Sequence, residues 1–356
     1  MEGVSSGWFA AAVALYGVLL QAARSPAGGD ARPPRLLIAS AGALGLVASL
    51  NVVVNPFGSY ATHLFEPMVL HSRADKLRLL DAAPPPDVVI LGSSASFAMA
   101  PEQIRRRTGL SAFNASVHGG TPRDYHALLR HLEERGVWPK VVLVALSFEQ
   151  LRPTARVGFE PGDPLTRYVS QEPRPAFAAA AASLLAADQT ESSFRRLRAS
   201  VEGEVPPPAY HFAADGLGSF TRPPSLVLTE RPGGNPELTF PDIDDGQWRH
   251  LQAVLDSCRA RGTRVVAFLP PLHPELARLW GETTSLLPIV GELQRRLAAY
   301  APHPVRAVHD FRRLESYGGR PELFQDMRHP DAESNRLMLD VMLRDLQPEA
   351  PGPQAP

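Results

Sequence analysis

The segment Asp87-Val-Val-Ile-Leu-Gly-Ser-Ser-Ala-Ser96 carries the clearest pattern in this sequence. It follows a triple proline, runs through four apolar residues and ends in glycine and serine. A short, continuous apolar run between such turn residues predicts a strand that is buried on both faces. Strands of this kind form parallel sheets, which bind ligands at the carboxyl ends of their strands. The pattern therefore places a glycine–serine turn where a site is expected.

The same alternation of short apolar runs and helical stretches continues along the chain. We predict further strands over 112–114, 141–146, 265–269 and 305–308, and helices over 101–108, 122–135, 247–261, 289–300 and 331–346. Buried strands separated by helices indicate an α/β fold in which helices cover both faces of a parallel sheet. Residues 151–243 break this rhythm with loops, an alanine-rich helix near 175–186 and a basic stretch over 195–198. We interpret them as an insertion or lid that covers or shapes the site.

Two apolar segments precede this body. Residues 7–23 and 36–54 carry no charge, and each is close to the length that a membrane-spanning helix needs. The arginines between them place the connector in the cytoplasm by the positive-inside rule. A secretory signal in the first segment, or a later start that leaves one anchor, would export the body equally. Two buried core helices are the alternative without a membrane.

The predicted organisation follows from these patterns. We expect a membrane anchor over 1–60 with one transmembrane helix or a helical hairpin, and an extracytoplasmic α/β domain formed by 61–150 and 244–346. The insertion occupies 151–243. A proline-rich tail over 347–356 has the composition of a disordered segment.

Composition excludes several classes of protein. The chain has 356 residues, of which 44% are hydrophobic and 21% charged, and this rules out general disorder. The net charge of -1 offers no basic field to nucleic acid. The single cysteine, Cys258, excludes an internal disulfide and cysteine-rich metal sites. No His, Asp or Glu cluster has metal-ligand spacing, so we expect no metal.

Three short motifs hold the candidate chemistry. Gly92-Ser-Ser94 ends the first strand, where a serine hydroxyl lies beside main-chain N–H groups that can stabilise an oxyanion. Asn114-Ala-Ser-Val-His-Gly-Gly120 ends the second strand, and its glycine pair lets the main chain approach a ligand. Asp326-Met-Arg-His329 precedes the last helix and can supply a base with its orienting carboxylate. Alone, a serine after glycine is more often a turn or helix cap, an Asp-x-x-His is usually a cap or surface pair, and the glycine pair is as typical of an ordinary turn.

Together these motifs resemble the SGNH/GDSL hydrolase superfamily. The closer resemblance is to its membrane-anchored branch, which includes D-alanyl-lipoteichoic acid transfer and alginate O-acetylation proteins. The nucleophile block of that branch reads Gly-Ser-Ser, which matches Ser94 as the nucleophile, with Asp326 and His329 completing a triad. The segment Asn51-Val-Val-Val-Asn-Pro-Phe-Gly58 is similar to the segment by which such proteins leave the membrane.

The resemblance also assigns the second motif. Gly119, Gly120 and Asn114 match the block that forms the oxyanion hole, and His118 beside the glycine pair is expected to line the pocket. The third block departs from the pattern, because Ala145-Leu-Ser-Phe-Glu-Gln150 lacks the usual asparagine. The oxyanion hole would then depend on the N–H groups of Ser94 and of one of the two glycines.

The resemblance implies a flavodoxin-like three-layer α/β/α fold and a function at the cell envelope. We expect a serine O-acyltransferase or esterase that is held at the inner membrane, with its catalytic domain in the periplasm or otherwise outside the cytoplasm. It would act on a cell-envelope or exported polysaccharide through an acyl-enzyme at Ser94. A membrane-bound O-acyltransferase is the implied partner, and no cofactor is implied. The alternative is a catalytically inactive envelope protein that binds glycans or assembles with such an acyltransferase.

Overall fold

The computed structural model of the protein describes residues 32–56, 62, 64–65, 72–153, 165–169, 184–203, 210–229 and 236–346. The chain divides into two compact units. Of the described residues, the smaller unit holds those before residue 72 and those over 184–203, and the larger unit holds the rest. The predicted segment over 7–23, most of the predicted helix near 175–186 and the predicted tail lie outside the described residues.

The larger unit contains the strands. In chain order they are β1 (Val88–Leu91), β2 (Ala112–Asn114), β3 (Val141–Ala145), β4 (Tyr210–Phe212), β5 (Gly218–Phe220), β6 (Arg264–Leu269) and β7 (Val305–Asp310). The helices of the two units are α1 (Arg32–Val54), α2 (Ser72–Ala82), α3 (Pro101–Thr108), α4 (Pro122–Glu134), α5 (Thr166–Val169), α6 (Ala187–Glu202), α7 (Asp245–Ala260), α8 (Pro274–Thr283), α9 (Leu286–Ala298) and α10 (Ala332–Met342).

Five strands form one sheet in the order β2-β1-β3-β6-β7, and every neighbouring pair is parallel. This confirms the predicted α/β fold with a parallel central sheet. Because the strands are parallel, the segments that follow β1, β2 and β3 leave the sheet at the same edge. Strands β4 and β5 lie outside this sheet and pair as an antiparallel hairpin.

The sheet has an apolar core on each face. Val89 and Leu91 of β1 belong to one core, to which α4, α7 and α9 contribute buried side chains. Val88 and Ile90 belong to the other core, which α3 and α10 cover. Successive side chains of a strand point to opposite faces, so a run that is apolar throughout fills both cores. The larger unit therefore has three layers.

The smaller unit contains α1 and α6. The amide of Asn51 in α1 donates to the carbonyl of Leu184 at 2.8 Å and to Thr190 Oγ1 at 2.9 Å, and it accepts from Ser193 Oγ at 2.8 Å. The basic stretch over 195–198 lies within helix α6. Two of its arginines, Arg195 and Arg198, pair with Glu191 and Glu202, each four residues away along the helix.

Helix α1 covers the second predicted membrane segment. Across the residues that the structure describes, no helix combines the length and the apolar character needed to cross a membrane.

Candidate active site

The turn after β1 presents Ser94. The residue begins a single 3₁₀ turn, Ser94–Ser96, and only 9% of its surface is exposed. A Cβ atom at Gly92 would lie 2.1 Å from Ser96 Oγ and 2.9 Å from Ala145 Cβ, so only glycine fits there. Ser96 Oγ donates to the carbonyl of Ser93 at 2.9 Å and lies 2.9 Å from Ser116 Oγ. These buried contacts fix the turn and hence the position of Ser94.

The loop before α10 presents the histidine. It is closed by an antiparallel bridge between Phe324 and Pro330, and the N–H of Gln325 donates to the carbonyl of His329 at 2.7 Å. Asp326 Oδ1 accepts from the main-chain N–H groups of Arg328 at 2.8 Å and of His329 at 3.0 Å. The carboxylate is therefore held by its own loop before it meets the imidazole.

Ser94, His329 and Asp326 form a continuous relay. Ser94 Oγ lies 2.8 Å from His329 Nε2, and both carboxylate oxygens of Asp326 lie 2.8 Å from His329 Nδ1. Burial alone would raise the pKa of Asp326, but the hydrogen bond and charge of His329 and the two main-chain N–H groups hold that pKa below its usual value. An ionised Asp326 keeps the proton on Nδ1 and leaves Nε2 free to accept the serine proton.

The glycine turn after β2 provides one wall of the site. Gly119 adopts a positive φ of 59° and lines the cavity at Ser94. In the described part of the chain, the N–H groups of Ser94 and Gly119 have no acceptor. Such groups can stabilise a developing oxyanion. The N–H of Gly120 donates instead to the carbonyl of Val117 at 3.0 Å, so it is already engaged.

An ion pair anchors the helix that follows this turn. Asp124 Oδ2 accepts from the N–H and the hydroxyl of Thr121 at 2.8 and 2.9 Å. Arg73 Nε donates to Asp124 Oδ1 at 2.5 Å. Because these groups are largely buried, the start of α4 is fixed to α2.

Gln150 stands in the segment that lacks the expected asparagine. It lines the cavity, and its side chain lies 3.2 Å from the Tyr125 hydroxyl. That hydroxyl donates to the carbonyl of Ala145 at 2.8 Å and lies 3.2 Å from the carbonyl of Gly120. Tyr125 therefore joins the glycine turn, the end of β3 and Gln150.

These segments enclose a cavity of about 240 Å³. Ser94, His118, Gly119 and His329 line one part of it. The remainder of the lining is mainly polar, from Ser93, Thr121, Glu149, Gln150, Arg152, Gln247 and Arg328, with Ala95 and Leu238 as its apolar residues. Glu237 pairs with Arg152 at 3.4 Å, and the Arg328 guanidinium lies 4.8 Å from the Trp280 ring centroid. The cavity thus offers many hydrogen-bonding groups next to the serine.

The structure brings together five of the residues that the sequence singled out: Ser94, Asp326, His329, Gly119 and His118. Burial, and then the charges of His329 and Arg73, lower the pKa of His118, which keeps its ring neutral at pH 7.

Asn114 and Gly120, which the sequence also singled out, are not among the residues that line the cavity. The Asn114 amide is fully buried and donates to the carbonyls of Ser96, Phe97 and Met99, so it shapes the serine turn from behind.

Sequence reasoning missed Arg152, Gln247 and Arg328. These residues come from a loop, a helix and the histidine loop. No local motif marks them, although their positions after β3, near the start of α7 and beside His329 are those that a parallel sheet directs towards its carboxyl edge.

A serine, a histidine and a carboxylate at hydrogen-bonding distance form the arrangement that serine hydrolases and serine acyltransferases use. No family model and no curated protein sequence matches the chain. Two solved structures show distant similarity. One is described as a lipolytic protein of the G-D-S-L family from Desulfitobacterium hafniense, with 11% identity, a TM-score of 0.33 and coverage of 72% of this chain and 98% of that one. The other is described as an acylhydrolase from Bacteroides fragilis, with 13% identity, a TM-score of 0.34 and coverage of 77% and 95%.

Proposed function

We propose that this protein is a serine O-acyltransferase or esterase of the SGNH type that forms an acyl-enzyme at Ser94. The observation that carries the proposal is the 2.8 Å contact between Ser94 Oγ and His329 Nε2, together with the carboxylate of Asp326 on the other side of the ring. The order of these residues along the chain, with the serine after the first strand and the Asp-x-x-His before the last helix, adds support.

The reaction proceeds through two acyl transfers. Ser94 Oγ attacks the acyl carbonyl carbon while its proton passes to His329 Nε2, and the N–H groups of Ser94 and Gly119 stabilise the oxyanion. Collapse of this intermediate breaks the bond to the leaving alcohol, which takes the proton from His329. An acceptor hydroxyl, or water, then gives its proton to His329 and attacks the acyl-Ser94 ester. Collapse of the second intermediate breaks the bond between the acyl carbon and Ser94 Oγ, which takes the proton back from His329, and the acylated product leaves.

A fluorophosphonate probe tests the nucleophile. On the full-length chain we expect one labelled serine, complete loss of labelling in Ser94→Ala, and a loss of about 10³-fold or more in His329→Ala. Ser316→Ala is the matched control, because Ser316 is an exposed serine whose hydroxyl donates to the main-chain carbonyls of Asp310 and Arg313. Labelling that survives Ser94→Ala, or a folded wild-type chain that is never labelled, would contradict the proposal.

The acceptor in this proposal is a hydroxyl-rich glycan of the cell envelope. Support comes from the polar lining of the cavity, where Thr121, Gln150 and Gln247 can bond to sugar hydroxyls. Placement outside the cytoplasm, at the membrane, is supported by the apolar segment over 7–23 and by exposed leucines at positions 44 and 46 of α1. A membrane-bound O-acyltransferase would then deliver the acyl group. Alkaline phosphatase fused after residue 356 tests the location, since it is active only outside the cytoplasm.

A further inference from the structure

The β4–β5 hairpin supplies an aromatic ring to each of the two histidines at the cavity. The Phe220 ring lies 5.0 Å from the ring of His329, centroid to centroid, with an interplanar angle of 52°. The Tyr210 ring stacks on His118 at 5.9 Å and 21°. Tyr210 and Phe220 are partners in the register of the hairpin. One small element thus contacts both imidazoles from outside the parallel sheet.

The turn of this hairpin is docked onto the end of β2 and the serine turn. The N–H of Asn114 donates to the carbonyl of Asp215 at 2.9 Å, and the N–H of Gly218 donates to the carbonyl of Phe97 at 2.8 Å. Gly216 has a φ of +80°, and a Cβ atom there would lie 2.1 Å from the carbonyl oxygen of Asn114. The hairpin is therefore held against the same segments that position Ser94.

Lys76 of α2 contacts both the hairpin and the end of β2. Its side chain is completely buried, and Nζ donates to the carbonyls of Asn114, at 2.7 Å, and Gly216. The Phe212 ring centroid lies 4.2 Å from Nζ, so all three N–H directions of an ammonium group find a partner. Burial lowers the pKa of Lys76 well below its usual value, while Asp215 and Asp75 oppose that shift.

The lysine is unusual for this chain. The sequence contains only two lysines, Lys76 and Lys140, and arginine supplies the other basic side chains. Burial of an ammonium group is unfavourable unless it is fully bonded, so its presence behind the site calls for a specific role. A compact ammonium fits between two carbonyls and a ring, where a planar guanidinium would not.

We propose that Lys76 is a positioning residue that holds the β4–β5 hairpin in place, so that Phe220 fixes the imidazole of His329 between Ser94 and Asp326. The effect of this positioning on catalysis rests on the proposed function. The positioning itself is a property of the folded chain. Lys76 does not line the cavity, so its removal alters the site through its contacts with the hairpin and with the carbonyl of Asn114.

The test uses full-length Lys76→Met and Phe220→Leu variants. Lys140→Met, which removes the exposed lysine, and Ser219→Ala, on the exposed face of β5, are the matched controls. One readout is the downfield NMR signal of the His329 Nδ1 proton bonded to Asp326, which does not require activity. The other is the rate of fluorophosphonate labelling, with kcat and KM for a small ester.

We expect both hairpin variants to weaken or lose the proton signal. Labelling and kcat should fall about 10- to 100-fold with KM nearly unchanged, because a small displacement of the base has this effect on rate. The controls should match the wild type, and Phe220→Tyr should restore the rate. If Lys76→Met does not fold, Phe220→Leu still tests the ring contact through which the lysine is proposed to act.

Two outcomes separate the proposals. A folded Lys76→Met or Phe220→Leu variant with an unchanged proton signal overturns the positioning role. A wild-type chain that shows the proton signal but takes no label counts against the proposed function and leaves the positioning role to the NMR comparison.

Discussion

At the scale of single residues, Asp326 decides which nitrogen of His329 carries the proton. In Asp326→Asn the side-chain amide N–H faces Nδ1 and moves the imidazole proton to Nε2, which can no longer accept from Ser94. We expect labelling of Ser94 to slow by about 10⁴-fold, as for other relays that lose the carboxylate. The folded state should persist, because the amide oxygen still accepts from the main chain of Arg328.

The matched control for this variant is Asp331→Asn. Asp331 lies in the same loop, where it caps α10 by accepting from the N–H of Ser334 at 2.7 Å, outside the relay. We expect it to lower the melting temperature and to leave the labelling rate almost unchanged. Labelling of Asp326→Asn within threefold of the wild type would show that the carboxylate does not set the tautomer.

The candidate site was partly readable from the sequence, and the limit is physical. Glycine, serine and Asp-x-x-His occur at ends of predicted strands and helices, so topology places Ser94, Asp326 and His329 at one edge. What the pattern does not determine is where a polar side chain directs its hydrogen bonds. Asn114 faces the main-chain carbonyls behind the serine turn, and the N–H of Gly120 is used within its own turn.

At the scale of elements, the predicted strands of the parallel sheet and the helices predicted beside them match the structure within a few residues, since apolar runs between turn residues mark the strands and apolar faces mark the helices. Helices α2, α5, α6 and α8 and the hairpin were not predicted. Helix α2 has no clear apolar face, and its buried residues include Lys76, which sequence alone assigns to the surface. Strands β4 and β5 have three residues each and pack through a few aromatic rings, which is too short for a periodic signal.

Tyr125 tests how far the site depends on contacts between elements. Tyr125→Phe removes one hydroxyl and leaves the buried carbonyl of Ala145 without its donor, which we expect to lower the free energy of unfolding by about 1–3 kcal/mol. The glycine turn and Gln150 lose their common partner, so labelling of Ser94 should fall at least about 10-fold.

Tyr317→Phe is the control for that variant. Tyr317 is also buried, and its hydroxyl bonds to Ser334 at 3.0 Å, away from the residues that line the cavity. Urea unfolding should show a smaller loss of about 1 kcal/mol, with the labelling rate unchanged. Equal labelling rates for the two variants would mean that Tyr125 contributes to stability alone.

At the scale of the whole molecule, the pH dependence of stability should report a histidine pair between α4 and α7. His126 Nδ1 and His250 Nδ1 lie 3.0 Å apart, a bond that needs one of the two nitrogens to be unprotonated. Burial, then His126 and the arginines at 123 and 249, lower the pKa of His250 to about 4, with Asp124 opposing. Burial and Arg130 lower the pKa of His126, with Glu133 opposing.

The sign of the effect follows from proton binding. In the unfolded chain His250 takes up its proton near pH 6.5, whereas in the folded chain His250 stays neutral down to about pH 4. The unfolded state therefore binds more protons between these values, and stability is lost as the pH falls through this window. Urea unfolding from pH 7 to pH 4 gives the free energy of unfolding as a function of pH. We expect His250→Gln to reduce the slope of this curve by the equivalent of at most one bound proton. His211→Gln, at an exposed position of β4, should keep the wild-type slope. An unchanged slope in His250→Gln would show that this pair does not couple protonation to the packing of α4 against α7.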